Sequence, residues 1–199
     1  MLHGRIGGME RVCEWCGKTF VAPTRGQPKR FCNQRCRKAA NRAKTRLGVP
    51  TVLARKTRWV RHVRKRPVTI SGAPASTTSP KTWATFSEAN SSKVGDGLGF
   101  VLGGGVGCLD FDNVIDDAGQ VDPRVVELVG ALPKTWVEIS PSGRGLHVWG
   151  MIPEAPGRVF YRDGLRIERY SRARYITVTR RPWQHSTLML GDLSEVLEW

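Results

Sequence analysis

Two sets of side chains in this chain have the types and spacing to do chemistry. The first is four cysteines in two close pairs, Cys13-Glu14-Trp15-Cys16 and Cys32-Asn33-Gln34-Arg35-Cys36, a C-x2-C-x15-C-x3-C pattern. Each pair can bring two thiolates to one tetrahedral ion, and this spacing points to Zn²⁺. Four thiolates close the coordination sphere, so the expected role is structural. Disulfides or free buried thiols are the competing readings, and disulfides are disfavoured because no apolar secretory signal follows Met1. Gly17 suits a tight turn after the first pair, and Cys32 and Cys36 can share a face where a basic helix begins. The fifth cysteine, Cys108, reads as a core or site-wall residue.

The second set begins at Gly107-Cys108-Leu109-Asp110-Phe111-Asp112-Asn113. On a strand, Asp110 and Asp112 point to one face while Leu109 and Phe111 point into a core. Two such close negative charges call for a cation, and the pair suits Mg²⁺ or Mn²⁺ bound together with substrate phosphates. Surface aspartates or a helix cap would leave the same pattern. Further on stands Glu138-Ile139-Ser140-Pro141-Ser142-Gly143-Arg144-Gly145-Leu146-His147. Here Ser142 and Arg144 can donate to a phosphate, Gly143 and Gly145 let the backbone approach it, and His147 can donate to a triphosphate oxygen. An ordinary hairpin followed by an incidental histidine is the alternative. In Leu165-Arg166-Ile167-Glu168-Arg169-Tyr170, Glu168 shares a strand face with Arg166 and Tyr170, away from Leu165 and Ile167.

The elements that must position these groups follow from texture. Residues 1–66 carry 19 basic and 2 acidic side chains, and the remaining 133 residues carry 13 and 15, so the whole net charge of +15 belongs to the first third. Such an arm suits a polyanion, and nucleic acid is favoured over a membrane because no amphipathic apolar face accompanies the charge. Lys29, Arg30, Arg35, Arg37, Lys38, Arg42, Lys44 and Arg46 can track phosphates, although a solvated basic helix or a protein-binding module would look similar. The run after Cys36 is Ala- and base-rich and should be helical until Gly48-Val49-Pro50. We therefore expect a small zinc-ribbon-like four-cysteine module with a basic helix over 1–48, a linker over 49–57 and an α+β domain over 58–199.

Within that domain, Thr82–Ala89 reads as a short helix, and strands at 99–102 and 106–112 read as a hairpin across Gly103-Gly104-Gly105. A helix should run from Asp122-Pro123 to Ala131, with Asp122 as its cap. Strands at 135–140 and 146–150 flank the Ser-Gly turn. Strands at 165–170 and 174–179 read as a third pair, and 193–197 as a last helix. Trp83, Trp136 and Trp149 sit in patterned elements and read as core before base-stacking platforms. No apolar run reaches 18 residues, so no membrane span is expected.

Taken in order, these segments resemble the primase-polymerase family of the archaeo-eukaryotic primase superfamily, in its phage and plasmid form. The resemblance runs from about Arg58 to Thr179. It is carried by Arg58-Trp59-Val60 through Lys65-Arg66-Pro67 to Thr82-Trp83-Ala84-Thr85-Phe86, then Gly99-Phe100-Val101 and the Asp-x-Asp of Asp110 and Asp112. The Ser-Pro-Ser-Gly-x-Gly-Leu-His ending at His147 and Ile167-Glu168 with Arg174-Tyr175-Ile176-Thr177-Val178-Thr179 complete it. It implies an RRM-like catalytic core in which Asp110, Asp112 and Glu168 hold Mg²⁺ or Mn²⁺, while His147 with Ser142, Gly143, Arg144 and Gly145 binds the incoming nucleotide. The implied activity is DNA-directed nucleotidyl transfer on a single-stranded DNA template from nucleoside triphosphates. It would act in the cytoplasm of a bacterial or phage-infected cell, with a separate replicative helicase. Ser171 stands where relatives often carry an acid just after the tyrosine. Arg166, Arg172 and Arg174 are candidates for phosphate contacts or plain surface charges. A non-catalytic zinc-containing nucleic-acid-binding replication protein and a metal-dependent nuclease are the rival readings.

Overall fold

The computed structural model describes residues 8–13, 15–16, 18–23, 29–184 and 186–199, with backbone alone for 41–47. The chain separates into two compact units, Met1–Gly48 and Val49–Trp199. In the first, β1 (Gly8–Val12) and β2 (Thr19–Pro23) pair antiparallel and α1 (Gln34–Leu47) follows. Asn33 starts the helix, its Oδ1 accepting from the Cys36 backbone N–H at 2.9 Å as an N-cap does. Among the described residues of this unit only Cys13, Ala22 and Ala40 are buried apolar groups. Units this small usually rely on a metal, a disulfide or a partner for stability.

The second unit is α+β, as its texture implies, but its strands sort into two sheets. One has the order β11-β5-β3-β4, from β3 (Trp59–Val63), β4 (Arg66–Val68), β5 (Gly97–Val101) and β11 (Tyr175–Val178). The other centres on β6 (Val106–Phe111), flanked by β8 (Leu146–Met151) and β10 (Leu165–Tyr170). Outside β8 lie β7 (Trp136–Ile139) and β12 (Gly191–Asp192), and outside β10 lies β9 (Arg158–Arg162).

Alternation along β6 gives this sheet two different faces. Leu109 and Phe111, with Val148, Leu165 and Ile167, enter the main core beneath α4 (Pro123–Ala131), which supplies Val125. Asp122 caps α4 as its sequence suggests, with its side chain accepting from the Arg124 N–H. On the other face the register aligns Tyr170, Cys108, Trp149 and Trp136 in one row across the sheet. Trp136 and Trp149 are fully buried and stacked at 5.3 Å, and Phe100 of β5 meets Trp149 edge-on at 6.1 Å. This aromatic row is where the second sheet packs.

Several expected elements differ. β5 and β6 share only the Gly103–Val106 bridge and go to separate sheets. The three intervening glycines all have positive φ, and they carry the chain from one sheet to the other. This crossing is held by Lys56 Nζ on Gly104 O at 2.9 Å and by the Gly104 N–H on Glu154 at 2.7 Å. The strands at 165–170 and 174–179 likewise do not pair with each other: β10 joins β6 and β9, and β11 joins β5. Residues 49–57, expected as a linker, contain α2 (Thr51–Ala54), whose Leu53 is fully buried and accepts from Trp59 Nε1 at its carbonyl. In place of one helix over 82–89 there is a 3₁₀ turn at Pro80–Thr82 and then α3 (Phe86–Ser91), begun by a Thr85–Glu88 capping box. The last helix is a 3₁₀ turn at Ser194–Leu197. No helix among the described residues is long and apolar enough to cross a membrane.

Gly145 marks the tightest approach near the Ser-Gly turn. A Cβ there would overlap the Phe111 carbonyl oxygen and come within 3.0 Å of Ser140 Oγ. Gly145→Ala is expected to lower stability by about 1–3 kcal/mol through this overpacking. A denaturant titration with an unchanged midpoint would contradict the fit.

Candidate metal and nucleotide sites

In the first unit the four cysteine sulfurs Cys13, Cys16, Cys32 and Cys36 all lie within 4.8 Å of one another. Cys16 and Cys32 are 3.7 Å apart and Cys32 and Cys36 3.5 Å. Two sulfurs bound at about 2.3 Å to one tetrahedral ion would be about 3.8 Å apart, so the cluster has the dimensions of a thiolate metal site. The Cys13 N–H donates to Lys18 O at 2.9 Å and closes the knuckle between the strands. Burial acts to raise the Cys13 thiol, but backbone N–H groups of Cys16, Cys32 and Trp15 outweigh it and bring it down to about 6. Burial and neighbouring sulfurs push Cys32 up to about 12, and burial raises Cys36 as well. Four sulfurs this close do not ionise together unaided; a divalent cation is the group that allows it. Lys29 and Arg30, shortly before Cys32 in the chain, and Arg35, Arg37 and Lys38 of α1 are exposed. Gly17 and the side chains of Arg42, Lys44 and Arg46 lie outside the described residues.

In the second unit the strand register does the positioning. Glu168 of β10 stands opposite Asp110 of β6, Asp110 opposite His147 of β8, and His147 opposite Glu138 of β7. Four ionisable side chains thus form one row across four strands, beside the aromatic row and on the same face. Asp112 lies just beyond the end of β6, where Asn113 turns the chain with a φ of 55°. Asp110, Asp112, His147 and Glu168 all line one cavity of about 570 Å³, which also receives Lys65, Tyr175 and Thr177 from the four-stranded sheet.

Asp110 bears the strain of this arrangement. Its side chain is 17% exposed, and its Oδ1 is buried without a hydrogen-bond partner, 3.8 Å from His147 Nε2. Burial pushes its carboxyl above the usual carboxylate range; His147 and Arg174 pull it back, while Asp112 and Glu168 push it further. Glu168 goes the other way. Burial disfavours its charge, but hydrogen bonds from the Tyr170 hydroxyl and Arg166, each 2.6 Å long, hold it below its ordinary value. An orphaned buried carboxylate oxygen, flanked by two further carboxylates, fits a hard divalent cation.

Glu138, quoted above only as the start of the Ser-Gly segment, has a larger part than sequence reasoning assigned it. It is wholly buried and accepts from His147 Nδ1 at 3.3 Å, Trp149 Nε1 at 3.2 Å, the Thr179 N–H at 3.0 Å and the Arg180 N–H at 2.9 Å. A hydrogen bond from Nδ1 leaves Nε2 of His147 as the atom facing Asp110. The signal available beforehand was weak: a carboxylate in an apolar strand, nine residues before the histidine.

The Ser-Gly segment is a tight turn, with Gly143 at a φ of 78° and the Gly143 N–H on Ser140 O at 3.0 Å. Ser140 and Ser142 line the cavity and bond each other at 3.0 Å. The Arg144 guanidinium pairs with Asp117, and Gly145 packs against Phe111. The structure therefore brings Ser142 to the carboxylates and engages Arg144 with Asp117. Of the three candidate arginines, Arg166 bonds Glu168, Arg174 lies 4.5 Å over the Tyr170 ring and lines the cavity, and Arg172 is exposed. Ser171 is buried and its hydroxyl accepts from the Ala155 N–H, so that position serves the fold. Cys108 is buried in the aromatic row, its thiol raised by burial.

No family model matches the chain. It is similar to a DNA primase-polymerase of Nitratiruptor phage NrS-1. The two are 34% identical over 148 residues, covering 67% of this chain and 21% of that protein. The chain thus spans about a fifth of the length of this relative.

The crowding at Asp110 has a measurable sign. A carboxyl raised in the folded state binds its proton more tightly there than in the unfolded chain. Metal-free stability is therefore lost as pH rises through the folded value. At neutral pH in chelator, Asp110→Asn should melt above the wild type. Added Mn²⁺ should raise only the wild type. A variant that melts lower in chelator, or gains equally from Mn²⁺, would contradict the site.

Proposed function

We propose that this chain is the catalytic part of a DNA primase-polymerase carrying a zinc module, and that it extends new strands on a single-stranded DNA template. The observation that carries this reading is the register placing Glu168, Asp110 and His147 side by side, with Asp112 and Ser142 on the same cavity. The likeness to a phage DNA primase-polymerase supports it. In this reading Asp110, Asp112 and Glu168 hold Mg²⁺ or Mn²⁺, which when bound would lower the pKa of the attacking 3′-hydroxyl and stabilise the departing pyrophosphate.

The remaining roles fall to the chain's own groups. His147, oriented by the bond from Nδ1 to Glu138, turns Nε2 toward a phosphate oxygen of the incoming nucleoside triphosphate and donates to it when the ring carries both protons. The Ser142 hydroxyl on the cavity wall forms the second phosphate contact, while Gly143, Arg144 and Gly145 build the turn that presents it, with the Gly143 N–H on Ser140 O and the Arg144 N–H on Ser142 Oγ. The four thiolates hold a structural Zn²⁺, and the exposed basic side chains about them track template phosphates, which positions without reading sequence. Unwinding is left to a separate replicative helicase, and the setting is the cytoplasm of a phage-infected cell.

Primer extension and de novo synthesis on a single-stranded template, with both deoxy- and ribonucleoside triphosphates, test the chemistry. Asp110→Ala and Glu168→Ala should abolish synthesis while circular dichroism is unchanged. Equal product from Asp110→Ala, or template cleavage that needs no triphosphate, would sink the assignment. Metal analysis tests the module: about one zinc per chain is expected, lost on Cys36→Ser together with the module's protease resistance. Cys36→Ser protein with full zinc content would contradict it.

A further inference from the structure

The side of the cavity formed by the four-stranded sheet contains a turn whose residues do not suit its backbone. β3 and β4 are joined by Arg64-Lys65, with Val63 opposite Arg66. A two-residue turn of this kind needs positive φ at both positions, for which Asn-Gly is the favoured pair. Here Arg64 and Lys65 take φ of 46° and 63°. Left-handed backbone at successive non-glycine residues is costly and persists only where the surroundings enforce it. They do so here: the Arg64 N–H donates to Asp96 Oδ2 at 2.6 Å, the Asp96 N–H to His62 O at 2.7 Å, and the Tyr175 hydroxyl to Lys65 O.

The restrained residue belongs to the cavity wall. Lys65 lines it together with Asp110, Asp112, His147 and Glu168. The cavity's other lysine or arginine, Arg174, is stacked on Tyr170, whereas the Lys65 ammonium has no ion pair or hydrogen bond among the described residues. A volume of about 570 Å³ is within the range of small-molecule sites.

We infer that Lys65 binds the triphosphate of the incoming nucleotide, and that the turn keeps Arg-Lys in place of Asn-Gly because the ammonium is needed at this wall. The inference rests on the nucleotidyl-transfer reading and adds a contact from an element outside the carboxylate sheet. An ammonium is a point charge suited to a flexible triphosphate, and its loss removes a charge-assisted contact.

The test uses the full chain with Mn²⁺, titrated calorimetrically with a deoxynucleoside or a ribonucleoside triphosphate and, separately, with a single-stranded oligonucleotide. Lys65→Met should weaken triphosphate binding by about tenfold or more with its melting temperature unchanged. Lys65→Arg should retain most of the affinity. Arg64→Asn/Lys65→Gly should bind triphosphate as weakly as Lys65→Met yet melt a few degrees above the wild type, because those residues suit the turn. Oligonucleotide affinity without nucleotide should be unchanged in all three. Wild-type triphosphate affinity in Lys65→Met, a loss confined to the oligonucleotide, or a double variant that melts lower would each overturn the inference. Lys65-dependent triphosphate binding in a wild type that synthesises nothing would sink the polymerase reading and leave this site standing. A wild type that binds no triphosphate would overturn both.

Discussion

A carboxylate on the central strand of a sheet, with one oxygen buried and without a partner, is the constraint on which the second unit turns. Antiparallel pairing leaves Asp110 no freedom. Its neighbours across the ladder are Glu168 on one side and His147 on the other, so the same register that completes the core also brings like charges together. Water is largely excluded from Asp110, and Asp112 adds a further negative charge. Such a group is tolerated where a cation and its substrate complete the surroundings, and folds commonly accept local instability at such sites.

Two sheets are needed to make that arrangement useful. The aromatic row of Trp149 and Trp136, meeting Phe100, lets the four-stranded sheet pack against the same face that carries the acids. One row is sealed and the adjacent row opens into the cavity. Glu138 and Glu168 show how identical carboxyl groups differ by placement. The first is enclosed by backbone and indole donors and holds His147, while the second meets Arg166 and Tyr170 at the cavity. The cysteine unit solves the opposite problem, having few buried apolar groups among its described residues and a cluster of sulfurs that an ion would join.

Much of the candidate site was legible because it rests on periodicity. Alternation along Leu109–Asp112 placed two residues in the core and pointed Asp110 outward, and the Asp122-Pro123 cap announced α4. Strand pairing was less legible, since hydrogen-bond partners are chosen by tertiary packing. Gly103–Gly105 reads as a hairpin turn by composition, yet its positive φ values carry the chain between sheets. β9 is absent from the expected strands although Asp163-Gly164, both at positive φ, is a strong two-residue turn signal joining it to β10. Arg169 shares the core face with Ile167, and alternation alone offers no hint that its guanidinium caps Val196 and Leu197 carbonyls. The part played by Glu138 is hidden for a related reason: it depends on contacts nine or more residues away in sequence.

The central claim is that Asp110, Asp112 and Glu168 together form one metal-binding site. It is tested most directly by crystals of the chain soaked with Mn²⁺ and a nucleoside triphosphate, with anomalous scattering recorded at the manganese edge. The account predicts an anomalous peak bonded to carboxylate oxygens of Asp110, Asp112 and Glu168, with triphosphate oxygens completing its coordination. Nucleotide bound in the cavity with no manganese at these carboxylates, or manganese held elsewhere on the chain, would contradict it.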